Sequence, residues 1–474
     1  LKVVVANSVG KDAEGNHFVH FPSRWTACVG RVKDFTYYPY QLAYLSSLLK
    51  QQTSLEVKMV DGNLLQLNAQ EYGDLLLKEK PDWLVMETST ALYTYDLKVA
   101  LALKKELGTR IVFAGQHPTA FPREVLADGV DFVCRGEYES SVLDLLRGQS
   151  PSAIPGLYPN ILHPLIEIDQ LPLPEDGDVS RLDYVGISGC DYREIEVYAS
   201  RGCPMSCVFC VCGNLYYAKP NWRPRNTEAV AAELKYLKER YPSMEGAFFD
   251  EEQHNGSKEF VQRLCQSIVK NSLNSLKLSA MCNYWNLDIE ILEAMRQAGY
   301  YKLRIGIETA SEKVAKAIRK PISIEKLRAV LKDAQRVGLR MYGTFIFGAP
   351  GSSREEDKKT LDLLRELLQE DLLCDFQSSI CVPQPGTPFY AWAEEKGYLT
   401  TKDWRKYNGY EAVVSYPEYP RGEIEEIFFQ SQVAGKGSKI RSVADVPAAF
   451  GRRIKRYGFA RTVREAIKTL RPPL

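Results

Sequence analysis

Two stretches of this chain alternate short apolar runs with segments of helical spacing. That alternation limits the fold more than any other feature. In the first stretch, residues 2–6, 55–61, 82–87, 110–114 and 131–134 read as strands. Residues 41–49 and 94–107 carry helical spacing, and Gly108 is placed to cap the second of these helices. From about residue 194 the alternation resumes. Strands are expected at 194–199, 246–250, 276–281, 302–307, 338–347 and 376–382, with helices such as 227–240 and 324–337 between them. Strands that alternate with helices form a parallel sheet, and ligands bind at its strand C-termini. Six such units in the second stretch imply a full or partial barrel.

The expected fold is therefore α/β. A Rossmann-like, flavodoxin-like domain spans 1–150 and a proline-rich linker 151–193. A partial (β/α)6 TIM-type barrel follows over 194–390, then a helical segment over 391–474. A chain of 474 residues has room for about three domains. Basic and acidic residues nearly cancel, at net +1, which speaks against a dedicated nucleic-acid binder. Residues 436–474 depart from that balance, with eleven Lys/Arg against Asp445 and Glu465, a net +9. This tail, with Arg452, Arg453 and Arg456, reads as a solvated face or as a dock for an acidic or membrane-associated substrate. No apolar run approaches the roughly 18 residues of a membrane span, and no secretory leader opens the chain. The eleven cysteines form no disulfide pattern of a secreted domain, so a cytoplasmic, reducing setting is expected.

The sharpest local signal is Ser200-Arg201-Gly202-Cys203-Pro204-Met205-Ser206-Cys207-Val208-Phe209-Cys210. Three thiolates within one loop after a strand suit an iron–sulfur cluster with one open iron. Cys212 would instead complete a closed site, zinc or iron–sulfur. Unrelated core cysteines are the third reading of the spacing.

With its context, this loop resembles the radical S-adenosylmethionine (SAM) superfamily. The resemblance runs through Phe248-Phe249-Asp250-Glu251-Glu252 and Ile305-Gly306-Ile307-Glu308-Thr309-Ala310-Ser311. It continues through Gly343-Thr344-Phe345-Ile346-Phe347-Gly348 and Pro383-Gln384-Pro385-Gly386. It implies a 4Fe–4S cluster on Cys203, Cys207 and Cys210, with Cys212 a bystander. It also implies a SAM site at Phe209, Asp250, Glu251, Glu308, Ser311, Ile346 and Gly348. The carboxylates would meet the SAM ammonium, Glu308 its ribose or methionine moiety, and Ile346 and Gly348 its adenine. Taken singly, the acidic triplet also reads as a solvated turn, Glu308 as an ordinary ion-pair member, and the glycines as turn residues.

The first 150 residues resemble the cobalamin-binding domain fused to many radical SAM enzymes. The stretches that match are 38–45, Phe113-Ala114-Gly115-Gln116-His117-Pro118-Thr119 and Val133-Cys134-Arg135-Gly136-Glu137-Tyr138-Glu139. Gln116 and Tyr138 depart from the family's usual glycines. The resemblance implies corrin contacts at Ser89, Thr90, Gly115, Gln116, His117, Gly136 and Glu137. The chain lacks Asp-x-His-x-x-Gly, and His17 and His20 lie in the right region without that spacing. Cobalamin is therefore expected with its own base displaced and no histidine on cobalt. The plain alternative is a flavodoxin-like scaffold without corrin. His117 and His254 each read either as contacts, to corrin and to substrate, or as incidental histidines.

The whole implies a class B, cobalamin-dependent radical SAM enzyme. Methyl transfer through methylcobalamin to an unactivated sp³ carbon is the first expectation. Oxidation, cyclisation or ring rearrangement without methyl transfer is the second, and a non-catalytic cobalamin or iron–sulfur sensor the third. The implied partners are a small-molecule substrate and a flavodoxin- or ferredoxin-like electron donor.

Overall fold

The computed structural model describes residues 1–20, 28–30, 36–184, 190–217 and 219–438. Two parallel sheets organise it. The first contains β1 (Lys2–Ala6), β2 (Glu56–Val60), β3 (Trp83–Glu87), β4 (Arg110–Ala114) and β5 (Phe132–Val133). Its order is β2-β1-β3-β4-β5, with every pairing parallel. β3 is buried at all five positions, as expected of a strand covered by helices on both faces. The helix Tyr93–Leu107 stops at Gly108, whose φ of 72° is the left-handed turn that glycine adopts without a Cβ clash.

The second sheet contains β6 (Glu194–Val197), β7 (Gly246–Phe249), β8 (Lys277–Cys282), β9 (Tyr300–Glu308), β10 (Arg340–Phe347) and β11 (Asp375–Ile380). These six pair in sequence order and all in parallel, leaving β6 and β11 at the two edges. The result is an open, partial barrel. Its helices are closed by local signals. Thr227–Arg240, for example, is capped by the Asn226 side chain, which accepts from the N–H groups of Glu228 and Ala229.

Two expectations need correction. Residues 391–438 are not helical throughout. Pro388–Glu395 and Arg421–Ser438 are helices, and the chain between them is irregular, with an isolated bridge from Leu399 to Val414. Pro417, Pro420, Gly397 and Gly409 break any helical run there. Residues 439–474, including Arg452, Arg453 and Arg456, lie outside the described residues. The proline-rich stretch is also more than a crossing. Arg181 within it is 1% exposed, donating to Glu233 Oε1 at 2.8 Å, to the Tyr40 hydroxyl at 2.6 Å and to the Glu196 carbonyl at 2.7 Å.

The two sheets are joined by buried charge and stacked rings. Tyr40 stacks on Tyr198 at 3.9 Å. Glu137, just beyond β5, pairs with Arg201 at 3.0 Å and with Arg223 at 2.9 Å. Arg201 also pairs with Glu139 at 2.8 Å. Arg201 is two residues ahead of Cys203, so the first domain is clamped directly to the cysteine loop.

Candidate functional site

The cysteine loop leaves the barrel after β6 and is held by its backbone. Gly202 enters it at φ 91°, where a Cβ would lie 2.6 Å from the Asn221 carbonyl, so only glycine fits. The Asn214 amide donates at 2.7 Å to the carbonyls of both Cys207 and Cys210. Val208 N–H donates to the Ile318 carbonyl at 3.1 Å. The Cys203 thiol donates to Gln253 Oε1 at 3.3 Å. Burial pushes the Cys203 and Cys207 thiols up to about 12, so assembly of a metal group there must release their protons. Cys212 opens a π-helical turn, Cys212–Tyr216, and is 1% exposed. Its own thiol is raised and that of Cys210 lowered by the hydrogen bond between them.

A cavity opens beside this loop at the C-terminal edge of the barrel. Cys203, Phe209, Cys210, Cys212, Glu252, Met281 and Ile346 line one part, and Gln377, Ser379, Ile380, Gln384, Asn408 and Tyr410 another. Among the described lining residues there is no lysine or arginine, so the thought of an acidic substrate rests on the tail alone.

The carboxylates expected here divide. Glu308 closes β9 with φ 66°, and its Oε1 accepts from Lys320 at 2.8 Å while its Oε2 is buried without a partner. Glu251 does not line the cavity. It lies in the barrel wall, hydrogen-bonded at 2.6 Å to His254, whose other nitrogen meets the Tyr300 hydroxyl at 2.7 Å. His254 is thus a core residue. Glu252, which the sequence reading passed over, does line the cavity, accepting from Gly202 N–H at 2.9 Å and the Tyr217 hydroxyl at 3.1 Å. Asp250 is buried at the end of β7. Ser311 caps the short helix Glu312–Ala317 and donates to Glu356. Gly348, at φ 70°, packs on Ile424 and gives its N–H to Asp357 at 2.7 Å.

The edge of the first sheet is closed. Ser89 and Thr90 are buried there on the loop after β3, and Gln116 and His117 at the start of the short helix Gln116–Ala120 after β4. Gly115 has φ 101°, and a Cβ would lie 2.5 Å from the Thr88 carbonyl. His117 stacks on Tyr93 at 4.2 Å and meets Phe121 and Trp404 edge-on, its two nitrogens unpaired. Burial lowers it to about 3, so it is a neutral imidazole. Ser89 Oγ and Tyr44 OH are likewise buried without partners. Gly136 and Glu137 face the barrel domain: Gly136 lies against the Tyr216 carbonyl, and Glu137 holds the arginines. His17 pairs with Gln66, and His20 with Asn7 Oδ1 at 2.8 Å.

Residues 197–364 match the radical SAM superfamily, and residues 27–146 match the B12 binding domain. The chain is a B12-binding domain fused to a radical SAM domain. An uncharacterized methyltransferase of Pyrococcus horikoshii is 28% identical over 427 residues, 86% of this chain and 90% of that protein. The bacteriochlorophyllide d C-8(2)-methyltransferase of Chlorobaculum tepidum is 25% identical over 69% of this chain and 71% of its own. Among solved structures, the radical SAM methyltransferase TsrM of Kitasatospora setae, with cobalamin and a 4Fe–4S cluster bound, superposes with a TM-score of 0.64. It is 14% identical over 91% of this chain and 88% of that one, which shows a shared fold.

The radical SAM domain implies the cluster and SAM, and the B12 domain implies cobalamin. The residues present fit all three. Among the described residues, no three His, Cys, Asp or Glu side chains converge closely enough for a single metal ion. A cube-shaped cluster holds its thiolates farther apart than one ion does, so this is no bar to a cluster on Cys203, Cys207 and Cys210. The unpaired Glu308 Oε2 supplies the acceptor that a nucleoside hydroxyl or an ammonium requires. The unpaired hydroxyls and imidazole on the first edge suit a corrin fringed with amides. Among the described residues no helix is long and apolar enough to cross a membrane.

Proposed function

We propose that this B12-dependent radical SAM enzyme transfers a methyl group to an unactivated, sp³ carbon of a small molecule. One observation carries the proposal: similarity through both domains, over 86% of the chain, to a protein named as a methyltransferase. When bound, the cluster supplies an electron, SAM the hydrogen-abstracting radical, and cobalamin the methyl group. The chain's own residues position and shield. Asn214 pins two of the three cysteines by their carbonyls. Phe209, Met281 and Ile346 give the cavity apolar walls that exclude water. Glu308 offers a buried carboxylate oxygen at the end of β9, and Glu252 a carboxylate in the cavity wall. Electrons come from a small flavodoxin- or ferredoxin-like donor in a reducing compartment.

The test is anaerobic reconstitution with iron, sulfide and cobalamin, followed by SAM, a reductant and a panel of small molecules. Methylated product with both 5′-deoxyadenosine and S-adenosylhomocysteine is expected by mass spectrometry. 5′-Deoxyadenosine with an oxidised or cyclised product and no matching S-adenosylhomocysteine would overturn methyl transfer. A protein with an intact cluster that forms neither nucleoside would be a sensor.

A further inference from the structure

Lys320 lies outside the cysteine, acidic and glycine motifs of the barrel. Its placement is built. The helix Glu312–Ala317 ends at Ile318, and Arg319 then takes φ 56°, a left-handed turn that costs a non-glycine residue about 1 kcal/mol. Lys320 N–H closes that turn on the Ala315 carbonyl at 2.9 Å, and its side chain reaches the end of β9. Its ammonium is 2.8 Å from Glu308 Oε1 and its side chain only 15% exposed. A Cβ on Gly306 would sit 2.6 Å from the ammonium and 2.5 Å from that carboxylate oxygen. The ion pair therefore lies across the face of a residue that has no side chain of its own. Glu308 is also left-handed, at φ 66°, where β9 and β10 shift register.

The same turn is tied to the cysteine loop. The Ile318 carbonyl accepts from Val208, the residue after Cys207. Lys320 is thus two residues from the point where the turn meets the loop, between Cys207 and Cys210. Two strained residues and a bare glycine are a large outlay for one buried ion pair, which by itself contributes little net stability. Strain of this kind collects where function fixes a geometry.

We propose that Lys320 is a positioning residue for the radical chemistry. It fixes Glu308 with one oxygen turned to the SAM nucleoside, and it holds a permanent positive charge against the cluster loop that raises the cluster's reduction potential. A nearby cation favours the reduced, more negative cluster. The inference rests on the radical SAM domain and is independent of methyl transfer.

The experiment uses the reconstituted full chain and two readouts other than turnover: an EPR-monitored redox titration of the cluster and the Kd of SAM. Lys320→Gln is expected to shift the potential downward and weaken SAM about tenfold, the loss of one charge-assisted contact. Lys320→Arg should restore both. Lys316→Gln, an exposed charge on the same helix, should change neither. Glu308→Gln leaves the ammonium unneutralised and should move the potential upward while weakening SAM. Lys320→Gln with wild-type iron content and an unchanged potential would overturn the proposal. If Lys320→Gln fails to hold a cluster, an unchanged potential in Glu308→Gln overturns it instead. Wild-type protein that takes up no cluster would overturn the reading of the cysteine loop and the role of Lys320 with it, whereas an unchanged potential in a cluster-loaded variant overturns the role of Lys320 alone.

Discussion

The two parallel sheets present the same kind of edge, a row of strand C-termini, yet treat charge in opposite ways. On the first edge burial pushes Glu87 up to about 8 and Asp96 up to about 7, and lowers His117 to about 3. Each of these groups is moved toward its uncharged form. On the barrel edge the carboxylates are held by partners: Glu308 by Lys320, and Glu252 by a backbone N–H and a tyrosine hydroxyl. Topology alone does not set the chemistry of such an edge. The first suits a large macrocycle met through neutral hydrogen bonds, and the second an ionic nucleoside beside a charged cluster.

The contrast can be broken most sharply at the cysteines. Replacing Cys203, Cys207 or Cys210 with Ala should abolish cluster binding, read as iron and sulfide content, whereas Cys212→Ala should keep it. Loss of the cluster in Cys212→Ala would show that the open loop is not the whole ligand set. Next comes the clamp between the two edges. Glu137→Ala takes from the buried Arg201 one of its two carboxylates, leaving Glu139, and urea unfolding should register a loss of about 3 kcal/mol. An unchanged midpoint would mean that the two domains are coupled by packing alone.

Gly115→Ala forces a Cβ into the Thr88 carbonyl at a left-handed φ, and should cost about 1–3 kcal/mol and weaken cobalamin binding. The smallest effect is a pH slope. Glu87 ionises later in the folded state than its ordinary 4.5, so the stability that it contributes is complete below about 4.5 and lost as pH rises to about 8. Unfolding of wild type at pH 7 and 8 should therefore show a fall, at most about 1.4 kcal/mol, that Glu87→Gln removes. His117 works the other way: its stabilisation falls as pH drops from 6.5 toward about 3, and His117→Phe should flatten that acid limb.

Period and local spacing made most of this legible in the sequence. Strands of the right order and the cysteine loop are contiguous features, and each can be read within ten residues. The helix Ala69–Glu79 was missed because Gly73 interrupts it and only Tyr72, Gly73 and Leu76 are buried, although Asn68 and Glu71 spell a capping box. The joints of the site were harder, because their partners are distant. Glu137 meets arginines 64 and 86 residues away, and nothing in the first sheet hints that its glutamate serves the barrel. Glu251 and Glu252 are adjacent in sequence, and only the turn after β7 decides which of them reaches the cavity. Lys320 is twelve residues from Glu308 but is brought to it by an unusual left-handed arginine that no composition rule anticipates.

The Glu137 clamp has a consequence for traffic. With Arg201 locked to the first domain two residues before Cys203, the side of the cavity that faces that domain cannot swing open without breaking buried ion pairs. The far side is bounded by Gln377 and by Tyr410, which is 50% exposed. The exposed residues of the cavity lining are thus Gln377, on β11, and Tyr410, and neither takes part in the clamp.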